Sequence, residues 1–196
     1  MDIKKFIVGP LQTNCYLVIL DKECIMIDGG DEKVLKFILD KKLKLTKILL
    51  THGHGDHLID VTNIKEKTKA KIYVHQKDNI MLNHPYNLSL GASKGVKADE
   101  FFKDRVGDFK VLYTPGHSLG SVCFYNEKEK VLFSGDTLFR NAIGRTDLPN
   151  SSSKLMKDSL KMLIKLPKDV KVYPGHGSET NIGDEYYYVL EVLNYL

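Results

Sequence analysis

The sequence predicts an α/β fold that forms one domain over residues 1–196. Predicted strands and helices alternate along the chain, as they do in α/β proteins. The 196 residues suffice for one well-buried core and are few for two. A composition of 42% hydrophobic and 28% charged residues argues against disorder, and no linker, low-complexity tract or long repeat divides the chain.

The first half of the chain contains most of the predicted strands. Short runs rich in Ile, Val, Leu and Tyr, bounded by turn residues, predict strands at 3–8, 14–20, 23–27, 46–50 and 71–74. Helices are predicted at 31–41 and 57–68. Asp31 suits the N-cap of the first helix, and the apolar residues that follow it have helical spacing.

The second half opens with a segment that has little periodicity. Residues 83–107 contain Pro85, Gly91, Gly95 and few apolar residues, so a long loop is expected, with a helical turn near residues 100–102. Long loops in compact domains are often lids or binding loops. Further apolar runs predict four more strands and two helices: strands at 109–113, 121–125, 130–134 and 170–173, and helices at 152–165 and 183–195.

Composition also restricts partners and compartment. No apolar run approaches the roughly 20 residues that span a bilayer, and the N-terminus lacks a signal-peptide pattern, so a cytoplasmic protein without a membrane partner is expected. Cys15, Cys24 and Cys123 lie in apolar stretches and are expected to be buried, reduced thiols. The net charge is +4, and the lysine clusters alternate with apolar or acidic residues, so no nucleic-acid binding is expected and a small-molecule substrate is favoured. The sequence leaves the oligomeric state open.

Four apolar runs each end in a short loop of small residues that carries His or Asp. They are KILL before THGHGDH, FKVLY before TPGH, VLF before SGD, and VKVY before PGHG. Strand ends of this kind can bring their side chains to one edge of a sheet, where a rigid scaffold holds functional loops. The candidate metal ligands are His52, His54, Asp56, His57, His117, Asp136 and His176.

These residue types are the nitrogen and oxygen ligands of zinc and related divalent ions. Gly53 and Gly55 let the backbone turn sharply between candidate ligands. A polar surface turn is a weak explanation for so dense a cluster, although His117 or His176 alone would usually be structural. Seven ligands exceed one tetrahedral zinc, whereas two metals that share a carboxylate would use them all. We expect two divalent ions, zinc first, with iron or manganese as alternatives.

At this point the sequence resembles the metallo-β-lactamase superfamily. THGHGDH resembles its HxHxDH signature, and TPGHS, SGDT and YPGHG resemble its later metal motifs in order. The resemblance implies a four-layer αβ/βα sandwich with the metal site at one edge of two packed sheets. It also implies ligand roles: His52, His54 and His117 on one metal, Asp56, His57 and His176 on the other, and Asp136 bridging.

Within that superfamily the chain is similar to short, single-domain glyoxalase II-like hydrolases. The similarity lies in SGDTLFRNAIGRTDLP (134–149) and PGHGSETNIGDE (174–185). It implies hydrolysis of a thioester such as S-lactoylglutathione. Larger glyoxalase II enzymes carry a C-terminal helical domain that helps to hold glutathione. That domain is expected to be absent here, which leaves the thiol carrier and the acyl group open.

The hypothesis for catalysis is attack by a metal-bridged hydroxide. Two metals lower the pKa of a bridging water toward about 7. Asp56 would bind metal and orient the hydroxide. Asp28 could fix a ligand histidine, or could be a turn residue before two glycines. Arg140 and Arg145 could bind a substrate carboxylate, and a structural salt bridge is favoured for Arg145.

Other functions remain open on the same motifs. A persulfide dioxygenase would use one iron with two histidines and a carboxylate, and its relatives share a GRTD segment. A lactonase or a phosphodiesterase is a second alternative on this scaffold. A metal-binding protein without catalysis is disfavoured, because every ligand position is present.

Overall fold

The chain forms two compact units, Met1–Phe101 and Phe102–Leu196. A computed structural model describes all of residues 1–196, and its secondary structure comprises fourteen strands and five α-helices, with two 3-10 turns. None of the helices combines the length and the apolar character that crossing a bilayer requires.

The first unit contains a six-stranded mixed sheet whose order in space follows its order in the chain. The first three strands pair antiparallel, and the third to the sixth pair parallel. The strands are β1 (Asp2–Val8), β2 (Thr13–Leu20), β3 (Glu23–Ile27), β4 (Lys44–Leu49), β5 (Lys71–Val74) and β6 (Glu100–Phe101). Because β3 and β4 are parallel, the loops that follow them leave the sheet at the same edge.

Three α-helices belong to this unit: α1 (Glu32–Asp40), α2 (Val61–Thr68) and the short α3 (Pro85–Ser89). Asp31 caps α1 by accepting from the backbone N–H groups of Lys33 and Val34, as predicted. Apolar residues of α1 and α2, including Val34 and Ile64, are fully buried in one cluster with alternate residues of the strands. That cluster is the core of the first unit.

The second unit contains a second six-stranded mixed sheet and a small hairpin. Its strands are β7 (Arg105–Val106), β8 (Phe109–Tyr113), β9 (Val122–Asn126), β10 (Val131–Gly135), β11 (Leu138–Phe139), β12 (Ala142–Ile143), β13 (Lys171–Pro174) and β14 (Thr180–Asn181). The sheet order is β14-β13-β10-β9-β8-β7, and β11 pairs with β12 apart from it. Only β10 and β13 pair parallel, so the loops after them leave the sheet at the same edge.

Two helices, α4 (Ser153–Leu163) and α5 (Ile182–Val192), complete the second unit. Ser152 caps α4 by accepting from the N–H of Leu155, which agrees with the helix predicted to begin at residue 152. Met156 and Leu160 of α4 and Val189 of α5 are fully buried in one cluster with residues of β9, β10 and β13. That cluster is the core of the second unit.

Three local predictions were wrong. The helix predicted at 57–68 is interrupted, because Asp60 has a left-handed backbone (φ +52°) between a 3-10 turn at Gly55–Leu58 and α2. The helical turn predicted near residues 100–102 is instead β6, which pairs with the end of β5. The long loop predicted at 83–107 contains α3 and β7 as well. The five-residue helix α3 and the two-residue strands β6 and β7 are too short to show a periodic pattern in the sequence.

Candidate metal centre

The loop after β4 places four of the seven candidate ligands in the first unit, and we call His52, His54, Asp56 and His57 the first His/Asp set. All four are nearly inaccessible, between 0% and 6% exposed. The ring centroid of His52 lies 4.7 Å from that of His54 and 4.2 Å from that of His57. Gly55 permits this compact turn, since a Cβ there would lie 2.3 Å from the carbonyl oxygen of Asn87.

Asp28 organises the base of this loop from the end of β3. It is 1% exposed and has a left-handed backbone (φ +65°), which aspartate tolerates better than most residues. Its carboxylate accepts from the N–H of Thr51 at 2.7 Å and from the Thr51 hydroxyl at 2.9 Å. Its Oδ2 also lies 2.9 Å from Nδ1 of His57. Asp28 therefore contacts a candidate ligand histidine, as one of its two predicted roles requires.

These contacts select the histidine tautomers. Because the Thr51 hydroxyl donates to Asp28, its oxygen is left to accept from Nδ1 of His52, 3.1 Å away. The Asp28 carboxylate likewise favours the proton on Nδ1 of His57. Both contacts favour the tautomer whose lone pair lies on Nε2, an atom that can bind a metal.

Asp56 is held by a residue that the sequence analysis did not single out. Its Oδ2 accepts from the hydroxyl of Thr13, 2.7 Å away, and Thr13 is fully buried at the start of β2. The same Oδ2 lies 3.3 Å from Nε2 of His57. The sequence offered no signal for Thr13, because a threonine at a strand start is ordinary.

The second unit holds the other three candidate ligands, and we call His117, Asp136 and His176 the second His/Asp set. They follow β8, β10 and β13, as predicted. Oδ2 of Asp136 lies 3.4 Å from Nε2 of His117 and 3.5 Å from Nε2 of His176. Nδ1 of His117 lies 3.0 Å from the carbonyl oxygen of Arg145, which accepts its proton and leaves the lone pair on Nε2.

The hairpin after Asp136 also contributes to this set. A Cβ at Gly144 would lie 1.8 Å from the carbonyl oxygen of Asp136 and 3.1 Å from Nδ1 of His117. Only glycine fits that approach without movement of the backbone. Gly144 is thus a functional position that sequence reasoning missed, although it stands in the quoted GRTD segment.

The spacing of these donor atoms tests whether the residues fit a metal. Two ligands on one tetrahedral zinc with bonds of about 2.1 Å lie about 3.4 Å apart. The nitrogen-to-oxygen distances at Asp56 and Asp136 are 3.3, 3.4 and 3.5 Å. These spacings and the imidazole and carboxylate donors fit a metal, and all seven residues belong to His/Asp groups that could hold one.

The two arginines predicted to bind substrate have different surroundings. Nε and a terminal nitrogen of Arg145 donate to Asp147 at 2.7 and 2.9 Å, in an exposed bidentate pair. Arg140 lines an open cavity of ≈ 460 Å³, whose walls include Lys171, Glu179 and Asp184. None of the seven candidate ligands lines that cavity.

The histidines and cysteines outside the two sets have structural surroundings. Nδ1 of His75 and Nδ1 of His84 each accept from a backbone N–H two residues later, so both cap short helical turns. All three cysteines are buried and free of disulfides, as predicted. Burial raises the pKa of Cys24 and Cys123 to about 11, so neither thiol is a ready nucleophile at neutral pH.

Comparisons with known proteins agree with this arrangement. A family model described as the metallo-beta-lactamase superfamily matches residues 8–176. The probable metallo-hydrolase YqgX of Bacillus subtilis (strain 168) is 35% identical over 93% of this chain and 93% of its own. A hydroxyacylglutathione hydrolase of Francisella tularensis subsp. novicida (strain U112) is 34% identical over 90% of this chain and 68% of its own.

Solved structures show the same fold. The BLEG-1 B3 metallo-beta-lactamase superposes with a TM-score of 0.89 at 37% identity, covering 95% of this chain and 97% of that one. TTHA1623 in a di-iron-bound form gives a TM-score of 0.86 at 37% identity, covering 93% and 96%. The predicted metallo-β-lactamase fold, with its two mixed sheets, is thereby confirmed. The chain belongs to the metallo-beta-lactamase superfamily, as a metal-dependent hydrolase.

Proposed function

We propose that this protein hydrolyses a thioester of the S-lactoylglutathione type with two divalent metal ions. The observation that carries the proposal is the donor spacing at Asp136, where one carboxylate oxygen lies 3.4 and 3.5 Å from two histidine nitrogens. This spacing fits a carboxylate oxygen that would bind the same metal ions as the rings of His117 and His176. A hydroxyacylglutathione hydrolase at 34% identity, together with segments 134–149 and 174–185, supports the thioester as substrate class.

The proposed ligand assignment joins the two His/Asp sets. His52, His54 and His117 would hold one ion, Asp56, His57 and His176 the other, and Asp136 both. The ions would lower the pKa of water and polarise the substrate carbonyl. The donor types favour zinc. Iron is the alternative, because TTHA1623, a similar structure, is di-iron-bound.

The chain's own residues would orient the reaction. Asp56 would direct the attacking water with a carboxylate whose Oδ2 is fixed by the Thr13 hydroxyl, 2.7 Å away. Asp28 and Thr51 would keep the lone pairs of His52 and His57 on Nε2. The leaving thiolate needs no strong general acid, because a thiol pKa of about 8.5 makes it a tolerable leaving group.

Arg140 would bind a carboxylate of the thiol carrier. Arg145 is the weaker choice, because its guanidinium already donates to Asp147 and its carbonyl oxygen accepts from His117. A basic net charge of +4 would favour an anionic substrate.

The test is metal analysis of protein purified without added metal, followed by parallel assays. S-lactoylglutathione, a lactone, a β-lactam and glutathione persulfide with oxygen-uptake detection cover the hydrolase and oxygenase alternatives. We expect two ions per chain and a preference for the thioester. One iron with oxygen uptake, or preferred turnover of the lactone or β-lactam, would refute it.

The Asp136→Ala and His54→Ala variants link metal to activity. Both should lose metal and thioesterase rate together, whereas Asp108→Ala, at an exposed position in the β7–β8 turn, should lose neither. Full metal loading with wild-type activity in Asp136→Ala would contradict the assignment.

A further inference from the structure

Gly53, which separates His52 from His54, has both of its backbone polar groups bound by side chains from one later segment. Its N–H donates to Oδ2 of Asp78 at 2.9 Å. Its carbonyl oxygen accepts from Nδ2 of Asn87 at 2.7 Å. We call Asp78 and Asn87 the Gly53 clamp.

Asp78 approaches from the 3-10 turn at Gln76–Met81, and its side chain is completely buried. A Cβ at Gly53 would lie 2.9 Å from Cβ of Met81 and 3.0 Å from the carbonyl oxygen of Asp78. The loop therefore rests directly on this turn. Burying a carboxylate is costly unless donors satisfy it, and one donor to Asp78 is the N–H of Gly53, in the loop that carries His52 and His54. We call that loop the metal loop.

Asn87 approaches from α3 and is 1% exposed. Its amide donates to two carbonyl oxygens, those of Gly53 at 2.7 Å and of Met81 at 2.6 Å. One side chain thus joins the metal loop to the turn that carries Asp78. The segment predicted to be a long loop, residues 83–107, thus contains a residue that contacts the loop of the candidate ligands.

We propose that Asp78 and Asn87 are positioning residues for metal binding, which fix the backbone of Gly53 and so aim His52 and His54. Glycine has the widest choice of backbone conformations, so a free Gly53 would let the two imidazoles separate. A clamped Gly53 has already lost that freedom before metal arrives. The proposal rests on the metal centre of the proposed function and adds two residues that touch no metal.

Asn87→Asp tests the clamp with almost no change in shape. The new carboxylate cannot donate, and its oxygens would face two carbonyl oxygens at hydrogen-bond distance. Removal of groups that orient metal ligands typically weakens metal affinity 10–100-fold. We expect a loss of about that size in a zinc titration of the metal-free protein against a chromophoric chelator, run well below the thermal midpoint.

Asn83→Asp is the control from the same segment. Asn83 is exposed and donates to the carbonyl oxygen of Val96 at 2.7 Å, which lies outside the metal loop. This variant also places a carboxylate against a carbonyl oxygen, and it should keep wild-type zinc affinity. Equal losses of affinity in the two variants would mean general destabilisation and would overturn the proposal.

Variants of Asp78 provide a second, independent test of the clamp, which remains available if Asn87→Asp does not fold. Asp78→Ala removes the acceptor for Gly53 and should weaken zinc binding, whereas Asp78→Asn keeps a carbonyl oxygen there and should restore most of it. Undiminished zinc affinity in Asp78→Ala would refute the clamp alone. A wild-type protein that binds no zinc, iron or manganese would refute the proposed function with it.

Discussion

Replacing Asp28 by Asn should impair both metal binding and folding. The substitution keeps the shape of the side chain, and asparagine tolerates the left-handed backbone at φ +65° as well as aspartate does. Strain is therefore excluded as a cause. What changes is the charge and one acceptor oxygen in a site that is 1% exposed.

The contacts of Asp28 indicate how large the losses of stability and of metal affinity should be. If the new amide oxygen keeps the N–H of Thr51, the NH₂ group replaces Oδ2, which now lies 2.9 Å from Nδ1 of His57. Two donors cannot face each other, so His57 must move its proton to Nε2, the atom that would bind metal. Loss of a contact to a charged group costs about 1.5–3 kcal/mol of stability. The tautomer change should lower metal affinity 10–100-fold, the range found when a metal-ligand orienting group is removed.

The assay combines urea unfolding in chelator with a zinc competition titration. Asp21→Asn is the control, because Asp21 also has a left-handed backbone (φ +58°) but lies exposed in the turn between β2 and β3. It should match the wild type in both measurements. If Asp28→Asn binds zinc as tightly as Asp21→Asn does, the predicted effect of the His57 tautomer is wrong.

Three further predictions concern the ligand sets and the thiols. Gly144→Ala should reduce bound metal per chain, measured by elemental analysis, because its Cβ would lie 1.8 Å from the carbonyl oxygen of Asp136; unchanged metal content would contradict this. Chelation should lower the thermal midpoint by several degrees, since metal at 100 times its Kd stabilises by about 2.7 kcal/mol; identical melting curves would count against tight binding. Iodoacetamide at pH 8 should spare Cys24 and Cys123 in the folded protein and label them in urea, because burial raises the pKa of both to about 11; fast native labelling would disprove their burial.

Most of the regular fold could be predicted from the sequence, because its longer strands form recognisable apolar runs and its longer helices show helical spacing of apolar residues. The strand at β2 and the helix at α4 lie within a few residues of their predicted bounds. The failures are elements whose existence depends on a partner. β6 and the β11–β12 hairpin have only two residues in each strand, so tertiary pairing alone defines them.

The candidate ligands could be named from sequence because metal chemistry admits few residue types, and a run such as HGHGDH is rare by chance. The residues that hold those ligands could not, because a backbone N–H can donate to any nearby oxygen and a carbonyl oxygen can accept from any nearby donor. Thr13, Asp78 and Asn87 meet their partners 43, 25 and 34 positions away, and nothing local distinguishes them. Asp28 was a partial exception, since an aspartate between a buried strand and two glycines suggests a turn that can also present a carboxylate.

The residues that hold the ligands can differ between members of the superfamily that have the same ligands. Two homologues with the same HGHGDH loop can differ in metal affinity when the residues at the positions of Asp78 and Asn87 differ. The donor atoms set which metals can bind, whereas the clamp sets how much ordering the loop must undergo on binding. A change confined to the clamp should therefore shift the affinities for zinc, iron and manganese by similar factors. Replacement of a donor such as Asp56 should change their order, and the same titration with each metal distinguishes the two cases.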